Sequence, residues 1–294
     1  MKLSFLIATR DRREALARCL DSIESQTHTD REVIVVVDGS TDGTAEMLAE
    51  RYPQVRAIVL PESGGVGAAL QRASETATGE VWVNLDDDAL LATPDAAGLV
   101  AETLATRPDV DVVCMRVEAP DGTVRHREIP LRSKRLPVQP MQIAYFLGGA
   151  VALRAETMRR VGGYPAGIAY GSWENDVAFR LAAIEATILF LPQARVIHHA
   201  IPSASNTDNR EANYLRNEIR LAATYLPAPY AQVHAMMWIV QQLLQAAANR
   251  RLRRAWSGAS EALRSWGTLR SDDSRRLTPQ QTRRLSRLSG RTWY

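Results

Sequence analysis

Three carboxylates in a row close an apolar run: Val81-Trp82-Val83-Asn84-Leu85 leads into Asp86-Asp87-Asp88. A β-branched and aromatic run of that length reads as a buried strand. Three acids cannot follow it into a core, because unpaired buried charge is too costly. They belong at the strand's carboxyl edge, where α/β sheets keep their ligand crevice. In an extended chain Asp86 and Asp88 point to one side and Asp87 to the other. Two hard oxygen donors aimed at one spot suit Mg²⁺ or Mn²⁺, with a diphosphate as a source of further ligands. A solvated acidic turn capping the next helix is the plainer alternative.

The elements around this turn set its context. Short apolar strands are expected at Leu3–Ala8, Val33–Val37 and Val55–Leu60, with helices between them, the first carrying Leu16, Cys19, Leu20 and Ile23 on one face. Asp38-Gly39-Ser40-Thr41-Asp42-Gly43 is a polar turn capping the helix through Met47 and Leu48. Strands alternating with helices imply parallel pairing and right-handed crossovers. Beyond the acidic turn, a helix is expected over Pro94–Thr106 and a strand over Val110–Val117, with Pro120-Asp121-Gly122 as a hairpin tip. Arg125–Pro140, basic and rich in proline, reads as irregular and mobile. Phe146–Leu153 returns to strand around Gly148-Gly149, and a short helix over Glu156–Val161 stops at Gly162-Gly163-Tyr164-Pro165. A helix opens at Trp173-Glu174-Asn175-Asp176, and two short strands, Ile188–Leu191 and Arg195–Ile197, lead to His198-His199. Helices then follow over Arg210–Leu226 and Tyr230–Arg254, and the polar tail from Ser271 is expected to be partly disordered.

The chain of 294 residues is 46% apolar and 23% charged, ordinary for a globular protein. Its only cysteines, Cys19 and Cys114, lie in apolar surroundings without a CxxC pattern, so reduced, buried thiols and a cytoplasmic setting are expected. Neither a signal peptide nor a bilayer-spanning run is expected. A net charge of +3 hides an asymmetry: from Ala246 on there are 12 Arg against 3 acids, leaving the first 245 residues acidic. With two lysines against 34 arginines the basic bias reflects composition, and nucleic-acid binding is not expected from charge alone.

Six stretches in order resemble the family 2 glycosyltransferases of the GT-A fold, inverting and rhamnosyltransferase-like: Ala8-Thr9-Arg10-Asp11-Arg12, Val37-Asp38-Gly39-Ser40-Thr41-Asp42-Gly43-Thr44, Gly65-Val66-Gly67-Ala68-Ala69, Leu85-Asp86-Asp87-Asp88, Gly162-Gly163-Tyr164, and Glu174-Asn175-Asp176 leading to Arg180-Leu181. The resemblance covers about residues 1 to 226. It implies a mostly parallel, Rossmann-like sheet flanked by helices, with a nucleotide-sugar-binding catalytic domain over 1–228 and a helical, Arg-rich extension over 229–294. It implies transfer of a sugar from a UDP- or dTDP-sugar to a hydroxyl acceptor. Thr9, Arg10, Arg12, Asp38, Gly65, Arg72, Asp86 and Asp87 would contact the nucleotide, and Asp88 with His198 would hold Mg²⁺ or Mn²⁺. Glu174 would be the general base, with Asp176 its rival. Gly148, Gly149, Tyr164 and Trp173 would line the acceptor or sugar site. The chain departs from the family pattern at Ser63, at Leu70-Gln71, and in reading Glu-Asn where Glu-Asp is common.

Two other readings stand beside this one. A sugar-phosphate nucleotidyltransferase would also use acidic metal ligands on an α/β sheet, but would want glycines beside Arg10, Arg12 and Arg13. A non-catalytic membrane-surface protein would be led by the amphipathic helix from Tyr230, whose apolar stripe could instead pack on the domain or against a second copy.

Overall fold

The computed structural model describes residues 1–131, 133, 135–168, 171–201, 210–248 and 252–290. The chain begins with β1 (Leu3–Thr9), α1 (Arg13–Glu24), β2 (Arg31–Asp38), α2 (Thr44–Arg51), β3 (Arg56–Leu60), α3 (Val66–Ser74) and β4 (Val81–Leu85). These four strands pair in parallel in the order β3-β2-β1-β4, as the alternation predicts. Then come β5 (Ala89–Leu91), α4 (Ala96–Thr106), β6 (Val112–Glu118), β7 (Met141–Ile143), β8 (Ala150–Arg154), α5 (Ala155–Arg160), α6 (Trp173–Ala183) and β9 (Ile188–His198).

This second half departs from all-parallel pairing. β8 runs antiparallel to both β4 and β6, and β5 and β7 run antiparallel to β9. Among the described residues no helix long enough to carry a right-handed crossover intervenes between β6 and β8, and the chain returns in the opposite sense. Inward-facing residues alternate along the parallel strands. Phe5, Ile7, Val35 and Val37 meet α1, α2 and α4 on one side, while Leu6, Ile34 and Val36 share the other side's core with α3, α5 and α6.

Several expectations need correction. Pro120-Asp121-Gly122 is a turn, with Gly122 N–H donating to Ala119 O (2.9 Å), but a 3₁₀ turn at His126–Glu128 follows instead of a pairing strand. Among the described residues of 125–140, Glu128, Ile129 and Leu131 are buried and anchor the stretch. The two short strands before His198 are one strand, β9; against β6 it jumps from Leu191 to Arg195, so Pro192–Ala194 bulge and the ladder resumes.

The remaining helices are α7 (Arg210–Tyr225), α8 (Tyr230–Ala248), α9 (Leu252–Arg264), α10 (Trp266–Ser271) and α11 (Pro279–Arg287). The single helix expected over Tyr230–Arg254 is described as α8 and the start of α9; Arg250 and Arg251 lie outside the described residues. Leu215, Ile219, Tyr225, Ala235, Ala259 and Leu285 build a third core with Phe179 of α6. The described part of the tail is folded: Thr278 and Gln281 form a capping box with Pro279 at the first helical turn, and Leu285 is buried. Gln281 also donates to Ala183 O (2.7 Å), tying α11 to the end of α6.

Candidate active site

The acidic turn is assembled by strand register. β5 pairs with β9 so that Ala89 faces His198, which sets the imidazole beside the residue just before β5, Asp88. His198 Nε2 is 3.2 Å from Asp88 Oδ1 and 3.9 Å from Asp86 Oδ2, and its Nδ1 is 2.8 Å from Glu128 Oε1. Burial would lower the imidazole's affinity for a proton, but Asp88, Asp86 and Glu128 outweigh it and push its pKa up to about 9. Burial likewise works against the Asp88 carboxylate; His198, Arg12 and the Ile201 N–H (2.7 Å) hold its pKa below the ordinary range. Asp86, Asp88 and His198 each offer one ligand atom, all within 4.8 Å of one another. Two hard carboxylate oxygens and an imidazole nitrogen fit a divalent cation that tolerates mixed O/N coordination.

Asp87 is buried and turned toward the end of β1. Its oxygens accept from Thr9 Oγ1 (2.8 Å) and Arg12 Nη1 (2.8 Å). Burial still pushes its carboxyl up to about 6. Arg12 also reaches Asp88 Oδ2 at 3.2 Å. Thr9 and Arg12 therefore brace the acidic turn from beneath.

Asp38, at the end of β2, is buried and gathers the loop before α3. It accepts from Ser63 Oγ (2.6 Å), Gly64 N (2.8 Å) and Gly65 N (3.1 Å). Gly65 takes φ +86°, a conformation that favours glycine. Arg10 and Arg72 lie away from this gathering. Arg10 is exposed and 3.9 Å from Asp11, and Arg72 is exposed and pairs with Glu75 (2.7 Å). The helical turn that carries Arg72 outward turns Gln71 inward, where its Oε1 accepts from Tyr164 N (2.9 Å).

The paired glycines join two carboxylates. A Cβ on Gly149 would overlap the Asp86 carboxylate, and one on Gly148 would lie 2.6 Å from Glu174 Oε1 and overlap Trp173. Asp86 and Glu174 thus rest over adjacent α-carbons, in room that any side chain would fill. Gly171 (φ +70°) and Ser172 (φ +62°) turn the chain sharply into α6; for serine that conformation is strained. Burial, with Asp86 and Glu218 as like-charged neighbours, pushes the Glu174 carboxyl up to about 7.

Asp176 has a different environment. Tyr225 donates to Oδ1 (2.7 Å) and Arg180 Nε to Oδ2 (2.7 Å), while Arg180 Nη1 binds Gly163 O (2.8 Å). Tyr164 and Trp173 belong to the core rather than to a sugar-stacking surface. They are 3% and 4% exposed. Tyr164 lies against Trp82 and Trp173, and its hydroxyl donates to Asn84 (2.7 Å).

Several contributing residues carry no motif. α7 holds the loop at 171–176 through Asn217 to Gly171 O (3.2 Å), through Tyr225, and through Glu218, which is fully buried and accepts from Asn175 Nδ2 (2.6 Å). Nothing in the letters marks Glu218 except a charge within a helical apolar pattern, which reads equally well as solvated.

The model of Glycosyl transferase family 2 matches residues 4–162. An N-acetylglucosaminyl-diphospho-decaprenol L-rhamnosyltransferase of Mycobacterium tuberculosis is 25% identical over 237 residues, 68% of this chain and 76% of that protein. Among solved structures, the mannosyltransferase PcManGT from Pyrobaculum calidifontis, in complex with GDP-Man and Mn²⁺, has a TM-score of 0.61 at 22% identity, over 97% of this chain and 83% of its own. GalNAc-T7 with UDP, GalNAc and Mn²⁺ also reaches 0.61, at 19% identity, over 76% of this chain and 48% of its own. Both structural likenesses speak to fold. A match over more than half the chain, with the sheet and helices of the GT-A fold, places this protein in glycosyl transferase family 2, as an enzyme that transfers a sugar from a nucleotide-sugar donor.

Proposed function

We propose that the chain is an inverting, metal-dependent glycosyltransferase in which Asp86, Asp88 and His198 hold Mn²⁺ or Mg²⁺ at the donor diphosphate and Glu174 is the general base. The observation that carries this reading is the glycine pair, which sets the Asp86 and Glu174 carboxylates over adjacent α-carbons. Bound there, a divalent cation would supply Lewis-acid neutralisation of the charge on the departing diphosphate.

Glu174 accepts the acceptor's hydroxyl proton as that oxygen bonds the anomeric carbon. The carbon–oxygen bond to the diphosphate breaks on the opposite face, and its electron pair leaves with the nucleotide. Attack opposite the leaving group inverts the centre. Asp176, held by Tyr225 and Arg180, positions the loop and takes no proton. Asp38 accepts three hydrogen bonds from its loop, and a carboxylate has about four acceptor sites, so one is left for the imide N–H of uracil or thymine. That supports a UDP- or dTDP-sugar as donor.

The M. tuberculosis relative, named for a diphospho-decaprenol acceptor, supports a lipid-carried saccharide as the acceptor class and cell-envelope assembly as the setting. Residues 1–228 form the catalytic unit, with the remaining helices as its extension.

Thermal shift and turnover test the assignment together. UDP or dTDP should raise the melting temperature only with Mn²⁺ or Mg²⁺ present. Asp88→Ala should abolish that rise. Glu174→Gln should keep it while losing nucleotide-sugar turnover. Pyrophosphate release from a nucleoside triphosphate and a sugar phosphate would overturn the reading in favour of nucleotidyl transfer.

A further inference from the structure

α8 runs for 19 residues, Tyr230–Ala248, without a single Asp, Glu, Lys or Arg. One side is packed into the molecule: Ala231, His234, Ala235 and Ala246 are buried. The other side is apolar and open, with Val233, Met236, Met237, Val240 and Leu244 from 40% to 68% exposed. Their spacing of three and four residues makes them one stripe along the helix. A helix that is apolar on both sides calls for cover on both. Leu252 and Trp256, one turn apart on α9, repeat the exposure at 48% and 55%.

Charge decides between the covers. The segment that begins as α8 ends carries 12 Arg against 3 acids, in a chain whose first 245 residues are net acidic. A two-fold pairing through the stripe would bring two such segments towards one another and set like charge against like. An anionic lipid surface offers the opposite charge, and Met, Val, Leu and Trp are side chains that enter the boundary between headgroups and acyl chains. Among the described residues no helix is long and apolar enough to cross a membrane, so the contact lies on the surface. Arg253, next to Leu252, is exposed and offers a positive charge.

We propose that the outward stripe of α8, together with the Arg-rich segment that follows it, docks the protein on an anionic lipid bilayer. This docking needs neither Glu174 nor the donor site, and its failure would leave the catalytic reading standing.

Vesicle flotation of the full chain tests it. Vesicles of phosphatidylcholine and phosphatidylglycerol should carry the protein about tenfold or more better than phosphatidylcholine alone, and raising salt to about 0.5 M should weaken the binding. Met236→Glu with Val240→Glu should reduce flotation about tenfold or more, while the melting temperature and its rise with UDP and Mn²⁺ stay as in wild type. Arg253→Glu, which leaves the stripe intact, should reduce binding to anionic vesicles by about twofold to fivefold. Flotation unchanged by the stripe substitutions would overturn the proposal. So would light scattering that finds a dimer which Met236→Glu with Val240→Glu splits, since the occupant would then be a second copy.

Discussion

The two groups of carboxylates on either side of Gly148-Gly149 are held in opposite ways. Asp87 and Asp88 are gripped by Thr9, Arg12, His198 and the Ile201 N–H. Glu174 receives a hydrogen bond from its own backbone and borders the negative charges of Asp86 and Glu218. Donors hold the Asp88 carboxyl below the ordinary range, whereas burial and like charge push the Glu174 carboxyl up to about 7. The contrast also separates Glu174 from Asp176 two residues on, whose oxygens are taken by Tyr225 and Arg180.

The sharpest way to break this comparison is to neutralise Glu174. Glu174→Gln should lower turnover by about 10³ to 10⁴, within the range of a lost general base, with nucleotide binding intact. In the wild-type enzyme kcat/KM should climb through about pH 7 and level above it, because only the ionised carboxylate can accept the proton. Stability should run the other way. A carboxyl whose folded pKa is raised favours the folded state below its unfolded value, and that advantage is lost as pH rises through about 7. Glu174→Gln should therefore melt like wild type near pH 4 and higher than wild type near pH 8. A variant that melts lower at pH 8 would show that Glu174 is held by partners after all.

On the gripped side, Asp88→Ala should cost about 10³ in turnover, on the scale of removing a group that stabilises developing charge. It should also erase the Mn²⁺-dependent nucleotide shift, which Glu174→Gln must not do. Turnover of metal-free enzyme at the wild-type rate would sink the division of labour. Gly149→Ala drives a methyl into the Asp86 carboxylate, and displacement of that order costs about a hundredfold. Its expected signature is a higher Mn²⁺ concentration needed for nucleotide binding. Gly148→Ala should instead disturb the pH limb at an unchanged metal requirement, since its neighbour is Glu174.

How much of this contrast was legible in the letters varies along the chain. Three acids after an apolar run can only lie at a strand end, so the acidic turn was readable. Its partner His198 was expected from the family resemblance alone, because a pairing register between β5 and β9 is not written in either segment. Ser63 and Gln71 looked like lost donor contacts; they are internal braces, Ser63 on Asp38 and Gln71 on Tyr164. Arg72 faces solvent and pairs with Glu75, a consequence of helical phase that its charge does not reveal. Tyr164 and Trp173 failed because an aromatic ring beside functional residues reads alike whether it floors the site or lines it. The tail was misread for its arginines, although Thr278-Pro279-Gln280-Gln281 spelled a capping box. Antiparallel β8 was out of reach, since only the lack of a crossover helix hinted at it.

The smallest effects should come from the contacts between α7 and the first turn of α6. Asn175, next to Glu174 on α6, donates to the buried Glu218 of α7, and Asn175→Ala leaves that carboxylate without its 2.6 Å donor. The cost should be about 1–3 kcal/mol of stability, the penalty for stranding a buried acceptor, with turnover down about tenfold. Tyr225→Phe removes only the hydroxyl on Asp176, and Arg180 still neutralises that carboxylate, so about 1 kcal/mol and less than a threefold change in rate are expected. If Asp176 were the base, the order would invert. Freeing it from Tyr225 would then alter the pH limb of kcat/KM strongly, while Asn175→Ala would leave that limb untouched. Measuring both limbs side by side therefore asks which of the two acids exchanges the proton, and it does so without removing either one.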